Sequence, residues 1–479
     1  MEKKMKQQKL TAKVVGAVIS TGILSFCGVL VETAMNVSFP TLSREFNVNT
    51  ATVQWMITIY LLVLAIVIPL SGFLKRSFKN RTLFLMALCF FTVGIIIDAA
   101  APTFSVLLIG RVLQGIGTGI GLPLMFNIIL EQVPASRMGT MMGVGTMIPA
   151  IAPAIGPTFG GLVVTGLGWR FIFILIIPVM ILTLIVGIMT IEQKSEVRRS
   201  SFDFFSLIAI AVFFIGSILG FSNMGNYSFL TIQVIGAFIM SICGLTGLII
   251  RSRKITNPIL DFSLLNNLSY SMHVICFFIM QLVLMGLVFI LPNYIQVVNG
   301  SSAQVSGFVV FPGAILGSLF TPLGGRLLDR FGPKKPILFG CIIITLSLIL
   351  FTVLCDSLSN LAIGGLYFLF TIGIGFSFGN LMTNGLRQLS DDYQANGNAI
   401  IMTFQQFAGA AGTSIIAAII SKSQSQYSDD IVRAVINGSK SGFIFLLALF
   451  LVEMVLITRL FLFNRKTEAD YKISNEIDS

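Results

Sequence analysis

The stretch Gly325-Arg326-Leu327-Leu328-Asp329-Arg330-Phe331-Gly332-Pro333-Lys334 lies between two long apolar runs in the second half of the chain. At the equivalent place in the first half stands Gly72-Phe73-Leu74-Lys75-Arg76-Ser77-Phe78-Lys79. Both are short basic turns of the kind that can clamp neighbouring helix ends. A turn that recurs once per half predicts a chain built of two related lobes. The first copy departs from the second, with Arg76 in place of the aspartate and Lys79 in place of the glycine. Two readings of 75–81 follow: an altered form of the same clamp, or a basic loop that only orients the chain.

Outward from these turns the chain is apolar almost end to end. Of its 479 residues 55% are hydrophobic and only 11% charged, where a soluble domain carries about a quarter charged. A helix needs about 20 mostly apolar residues to cross roughly 30 Å of hydrocarbon. Such runs predict spans near 14–38, 52–74, 82–101, 105–130, 138–165, 169–191 and 204–223, then near 229–250, 269–292, 302–325, 336–355, 359–381, 395–420 and 441–464. The fold class is thus an all-α membrane protein with 14 transmembrane helices.

With the N-terminus in the cytoplasm, 24 of the 31 Lys and Arg fall in the N-terminal tail or in 75–81, 131–137, 192–203, 251–268, 326–335, 382–394 and 465–479. Five fall on the other side and two inside spans. That asymmetry predicts both termini cytoplasmic. The formal charge of +11 therefore reports orientation rather than a nucleic-acid partner. The apolar run after the basic N-terminus is too long for a signal peptide and reads as an uncleaved first span. Six cysteines in apolar segments, without paired spacing, indicate neither a metal site nor a disulfide framework. No Walker A pattern and no segment long enough for a soluble ATPase occur, so the energy for moving a solute comes from an ion gradient or the solute's own. No cofactor is expected.

Helical spacing in span 1 puts Gly22, Ser25, Val29, Glu32 and Asn36 on one face. A charge at that depth costs at least roughly 2.5–3.5 kcal/mol, which calls for a water-filled cavity or an ion pair. Span 4 opens with Gly110-Arg111-Val112-Leu113-Gln114-Gly115-Ile116-Gly117-Thr118-Gly119. Its glycines permit close helix approach beside a fixed positive charge, although a span-end arginine can also snorkel to the interface. Span 5 carries Pro149, Pro153, Gly156, Pro157, Gly160 and Gly161, a pattern that bends a helix and packs it tightly, as a rocking interface requires.

Together these residues resemble the major facilitator superfamily, and within it the fourteen-span drug:proton antiporters. Val31-Glu32-Thr33, Asn36-Val37 and Pro40 are similar to that group's first-span motif, with Glu in place of the usual Asp. Val53-Gln54-Trp55 with Tyr60-Leu61-Leu62 is similar to its second span, and Arg111 to Gly119 to motif B. Gly156-Pro157 with Gly160-Gly161 resembles motif C, the antiporter signature. Asn257-Pro258-Ile259-Leu260-Asp261, Tyr294-Ile295-Gln296 and Pro312-Gly313 also match.

The resemblance implies a bundle of two six-helix lobes, 1–191 and 269–479, flanking two extra helices within 192–268. It implies a multi-pass protein of the bacterial cytoplasmic membrane, monomeric in the bilayer, that exports small hydrophobic and often cationic compounds in exchange for protons. The implied roles are proton coupling for Glu32 and Arg111, and substrate contact for Glu32, Asn36, Trp55, Tyr60, Tyr294, Gln296 and Gln405. Gating falls to Gly156, Pro157, Gly160, Gly161, Gly325, Asp329, Arg330 and Gly332. Export of a specific endogenous solute such as a lipid, siderophore or amino acid is the alternative. A lipid-modifying membrane enzyme would need a nucleophile or acid–base cluster that the sequence lacks. Among the other ionisable residues, Asp98 reads as solvated at the outer end of span 3 and His273 as interfacial. Glu453, in a helix peripheral in this family, reads as paired with Arg459.

Overall fold

Among the described residues of the computed structural model, fourteen helical segments are long and apolar enough to cross a bilayer. In chain order they are α1 (Ala12–Glu45), α2 (Thr52–Ser77), α3 (Asn80–Ala99), α4 (Phe104–Gln132), α5 (Ala135–Gly166), α6 (Arg170–Thr190) and α7 (Phe204–Met224), then α8 (Ile232–Lys254), α9 (Leu268–Val297), α10 (Ala303–Phe331), α11 (Lys334–Val353), α12 (Asn360–Leu386), α13 (Asp391–Gln426) and α14 (Ile431–Leu462). The structure describes residues 10–194, 197, 201–224, 231–427 and 429–477, without the side chains of 50–51 and 463–477. The basic N-terminal tail through residue 9 and most basic positions of the 192–203 loop lie outside the described residues.

The elements begin and end where local chemistry dictates. Thr103, Ser302 and Ser359 precede α4, α10 and α12, and their hydroxyls accept from Val106 N, Val305 N and Ala362 N at 3.4, 3.3 and 3.2 Å, using backbone donors that the first turn leaves free. Gly332 closes α10 at φ +78°, a conformation that strains any side chain. At the matching turn of the first half, Phe78 and Lys79 have φ −131° and −66° with extended ψ. A lysine is therefore admissible there, whereas Gly332 is required in the second copy.

The packing repeats with the sequence. In the first half α1 lies against α4, α5 and α6, while α2 and α3 lie against α4 and α3 against α6. In the second half α9 lies against α12, α13 and α14, while α10 and α11 lie against α12 and α11 against α14. Matching α9–α14 in order to α1–α6 makes the two sets coincide. The extra helices α7 and α8 pack on each other, and α7 also meets α2 and α13. The halves meet along two seams, α5 with α10 and α12, and α13 with α2 and α4. The first is glycine-lined: a Cβ on Gly139 would lie 2.6 Å from the Gly325 carbonyl, and one on Gly325 would collide with the Gly139 carbonyl. Backbones can meet that closely only where side chains are absent.

Candidate functional site

The Glu32 turn is set by its neighbours. Gly28, one turn earlier on α1, faces Thr118 of α4 and Tyr60 of α2, whose hydroxyl would lie 3.0 Å from a Cβ placed there. On the far side, a Cβ on Gly156 of α5 would collide with Thr33 Oγ1, and one on Gly160 with the Ala34 carbonyl. The Gly-x-x-x-Gly step of α5 thus braces the turn that carries Glu32. Glu32 is half-buried, the next turn opens at exposed Asn36 and Val37, and the buried Arg111 acts on its charge.

Arg111 has no solvent exposure, which removes the snorkelling alternative. Its Nε donates to the Met56 carbonyl at 3.2 Å and its Nη1 to Gln114 Oε1 at 2.8 Å. Its Cζ stands 4.6 Å from the centre of the Tyr60 ring, a cation–π contact made without competing water. Gln114 passes the interaction on, because its Nε2 donates to Asp98 Oδ2 at 2.7 Å. Asp98 is therefore not solvated, as the sequence suggested, but fully buried. The crossing of α3 and α4 at Gly94 and Gly110 puts it there: a Cβ on Gly94 would approach the Gly110 carbonyl to 2.6 Å, and one on Gly110 would strike Asp98 Oδ1. Sequence reasoning missed Asp98 and Gln114. The available signal was the matched i, i+4 pairs Gly94/Asp98 and Gly110/Gln114, each placing a small residue and a polar one on the same face.

Hydrogen bonds between the lobes gather at the end where the loops rich in Lys and Arg lie. Asp329 Oδ1 accepts from Gly139 N at 2.8 Å, and its Oδ2 accepts from Thr140 N at 2.7 Å and Thr140 Oγ1 at 2.8 Å. Arg387 Nη2 reaches Asp329 Oδ1 at 3.3 Å and the Ala135 carbonyl at 3.1 Å. Deeper in, Asn398 Nδ2 donates to Asn127 Oδ1 at 2.9 Å. Arg330 is exposed, its Cζ 5.1 Å from the Phe331 ring centre. Toward the other end Trp55 is 48% exposed, Gln296 is exposed, and no atom comes within 4 Å of a Cβ on Gly161. These bonds close the basic end, whereas the residues named at the opposite end are exposed.

The remaining expected residues divide. Gln405 is half-buried and Pro157 exposed. Tyr60 is fully buried between α1 and Arg111. Tyr294 is 1% exposed and donates to the Cys355 carbonyl at 2.6 Å, tying α9 to the loop after α11. Gly156 and Gly160 meet α1, whereas the inter-lobe contact of α5 runs through Gly139 and Gly143. Two further expectations are corrected. Glu453 is fully buried, neither carboxyl oxygen has a hydrogen-bond partner among the described residues, and Arg459 is exposed. Six residues at 100° each carry Arg459 to a different face of the helix. His273 is fully buried rather than interfacial, with Nδ1 2.7 Å from the Ser269 carbonyl and Nε2 2.7 Å from Asn384 Nδ2.

Comparison with known proteins bears on this arrangement. The family model described as Major Facilitator Superfamily matches residues 21–413. The chain is 36% identical over 454 residues to the lincomycin resistance protein LmrB of Bacillus subtilis, covering 92% of this chain and 95% of that one. It is 27% identical to the multidrug resistance protein B homolog of Mycobacterium tuberculosis, covering 85% and 76%. Among solved structures, the human organic anion transporter MFSD10 covers 94% of this chain and 100% of its own at TM-score 0.65, and the proton:xylose symporter XylE covers 91% and 95% at 0.62. Both are 14% identical and speak to the fold alone. With a family model spanning most of the chain, and relatives aligned nearly end to end, this multi-pass membrane protein is a transporter, not an enzyme, and belongs to the major facilitator superfamily.

Proposed function

We propose that this transporter exports small hydrophobic, often cationic, drugs from the cytoplasm in exchange for protons, by alternating access between its lobes. Residues 1–191 and 269–479 form the lobes, 192–268 carries the extra pair, and the protein works as a monomer in the cell membrane. Both termini and the closed basic end face the cytoplasm, in keeping with the Lys and Arg distribution. The observation that carries the reading is Glu32, a half-buried carboxyl on the turn braced by Gly156 and Gly160 and acted on by Arg111. It adjoins the exposed Asn36, and the apolar runs 302–325 and 395–420 contain no acid. The resistance proteins named above support the substrate class.

Coupling then follows from competition. From the open side Glu32 takes a proton; from the cytoplasmic side a lipophilic cation favours the carboxylate and displaces it. Proton and drug are never both held, so each turnover exchanges one for the other. The test is substrate-driven proton release in proteoliposomes under an imposed pH gradient. Glu32→Gln keeps size and hydrogen bonding but cannot titrate, so gradient-driven export should vanish while the protein remains folded. Glu32→Asp should keep part of it. Full, pH-dependent antiport by Glu32→Gln would rule out the single-carboxylate mechanism.

A further inference from the structure

We infer that Asp98 is the standing counter-ion of Arg111 and thereby sets how tightly Glu32 holds its proton. This rests on Glu32 being the coupling carboxyl. The geometry is a three-member chain, with Gln114 accepting from Arg111 Nη1 at 2.8 Å through its oxygen and donating to Asp98 Oδ2 at 2.7 Å through its nitrogen. A primary amide with both ends engaged fixes the separation of the two charges and transmits polarisation between them.

Arg111 and Asp98 are both without solvent exposure, and a buried charge requires a partner. Glu32 cannot be that partner throughout a cycle in which it is protonated, whereas Asp98 is shut off from solvent between α3 and α4, behind Gln114. Its second oxygen has no hydrogen-bond partner among the described residues and abuts the backbone of Gly110. The buried guanidinium calls for a counter-charge, and Asp98, one amide away, is the acid placed to supply it as a carboxylate.

The groups that face this chain are few: Tyr60 of α2 lies under the guanidinium, and Glu32 of α1 acts on it. With Asp98 charged, the cation beside Glu32 is largely neutralised, and the Glu32 carboxyl can take up a proton. With Asp98 neutral, the whole field of Arg111 falls on Glu32 and holds it as a carboxylate. Asp98 is in this sense a positioning residue, acting through Arg111 and never touching the substrate.

The experiment is an infrared titration of purified, drug-free protein, with the Glu32 carboxyl band identified by its loss in Glu32→Gln. In Asp98→Asn the midpoint of that band should fall by about one pH unit, the scale of one unit charge removed at close range inside protein. An unchanged midpoint overturns the inference and leaves the coupling role of Glu32 standing. A Glu32 band that never titrates in the wild type removes the coupling reading itself. Thermal stability covers the case in which Asp98→Asn folds poorly. The double variant Asp98→Asn/Arg111→Gln removes both charges and should be more stable than Asp98→Asn alone; a double variant no more stable than that single one also overturns the inference.

Discussion

Asp329→Ala should release the closed end. The wild-type carboxylate accepts two backbone N–H groups and one hydroxyl at the start of α5, at 2.7–2.8 Å, and meets Arg387 at 3.3 Å. Loss of a side-chain acceptor at a helix N-terminus costs about 1 kcal/mol, within a range of roughly 0.5–2. Loss of the negative charge facing the helix dipole costs a further ~0.3–1 kcal/mol, and the partly exposed Arg387 pair adds at most about 1 kcal/mol. The contacts to Gly139 and Thr140 join the lobes and exist only when the basic end is closed, whereas Arg387 lies in the same lobe as Asp329 and drops out of the balance. Roughly 1.3–2 kcal/mol therefore favours the closed state in the wild type and is lost in the variant, about a 10- to 30-fold shift in the ratio of the two states. Spin labels at Ser136→Cys and Lys335→Cys, exposed on opposite lobes at that end, report the change as a longer inter-label distance, with Asp329→Asn intermediate. A distance distribution identical to that of the wild type would show that Asp329 does not latch the lobes.

Arg111→Ala should abolish coupled transport and lower stability by about 3 kcal/mol, because it leaves Gln114 and Asp98 buried without their cation; Arg111→Lys should not rescue it, since one ammonium cannot serve the Met56 carbonyl and Gln114 as the guanidinium fork does. Transport assays beside thermal melts check both, and normal activity in either variant counts against the assigned role. Thr256→Cys and Gln426→Cys should react with an impermeant thiol reagent from opposite faces of the membrane, and same-face labelling would break the fourteen-span topology.

The spans were legible because each is a run of apolar residues long enough to cross a bilayer, and hydrocarbon allows few alternatives to a helix. The lobes were legible because the basic turn recurs, and Arg111 because a lone cation in a glycine-rich span has few inexpensive places to go. What could not be read came from pairings between distant segments. Asp98 looks solvated until α3 and α4 cross at Gly94 and Gly110, and Tyr294 looks free until the loop at Cys355 takes its hydroxyl. His273 is held by Asn384, 111 residues away. Glu453 differs in kind: the six-residue step to Arg459 already placed the two on different faces, so helical geometry alone could have excluded that pair.

The altered first turn also has a physical account. Asp329 of α10 suits the N-terminus of α5 because an anion there meets free backbone donors. On the other seam Gly72 of α2 lies against Asn396 near the start of α13, where a Cβ would come 2.6 Å from Asn396 Oδ1. A cation directed at that helix start would oppose its dipole. Arg76 instead donates from Nη2 to the Pro258 carbonyl at 2.8 Å, with Asp261 among the charges acting on it. The segment it reaches is fixed: Ser252 Oγ donates to the Leu260 carbonyl at 2.8 Å, and Ile259 and Leu260 are buried. The Asn257-Pro258-Ile259-Leu260-Asp261 stretch is therefore the counterpart that Arg76 requires, and the two substitutions in the first turn are explained separately, Lys79 by its backbone conformation and Arg76 by this partner. One seam is latched directly between lobes, the other through the segment that joins α8 to α9. Any motion that parts α2 from α13 at this end must either break the Arg76 bond or carry the α7–α8 pair with it.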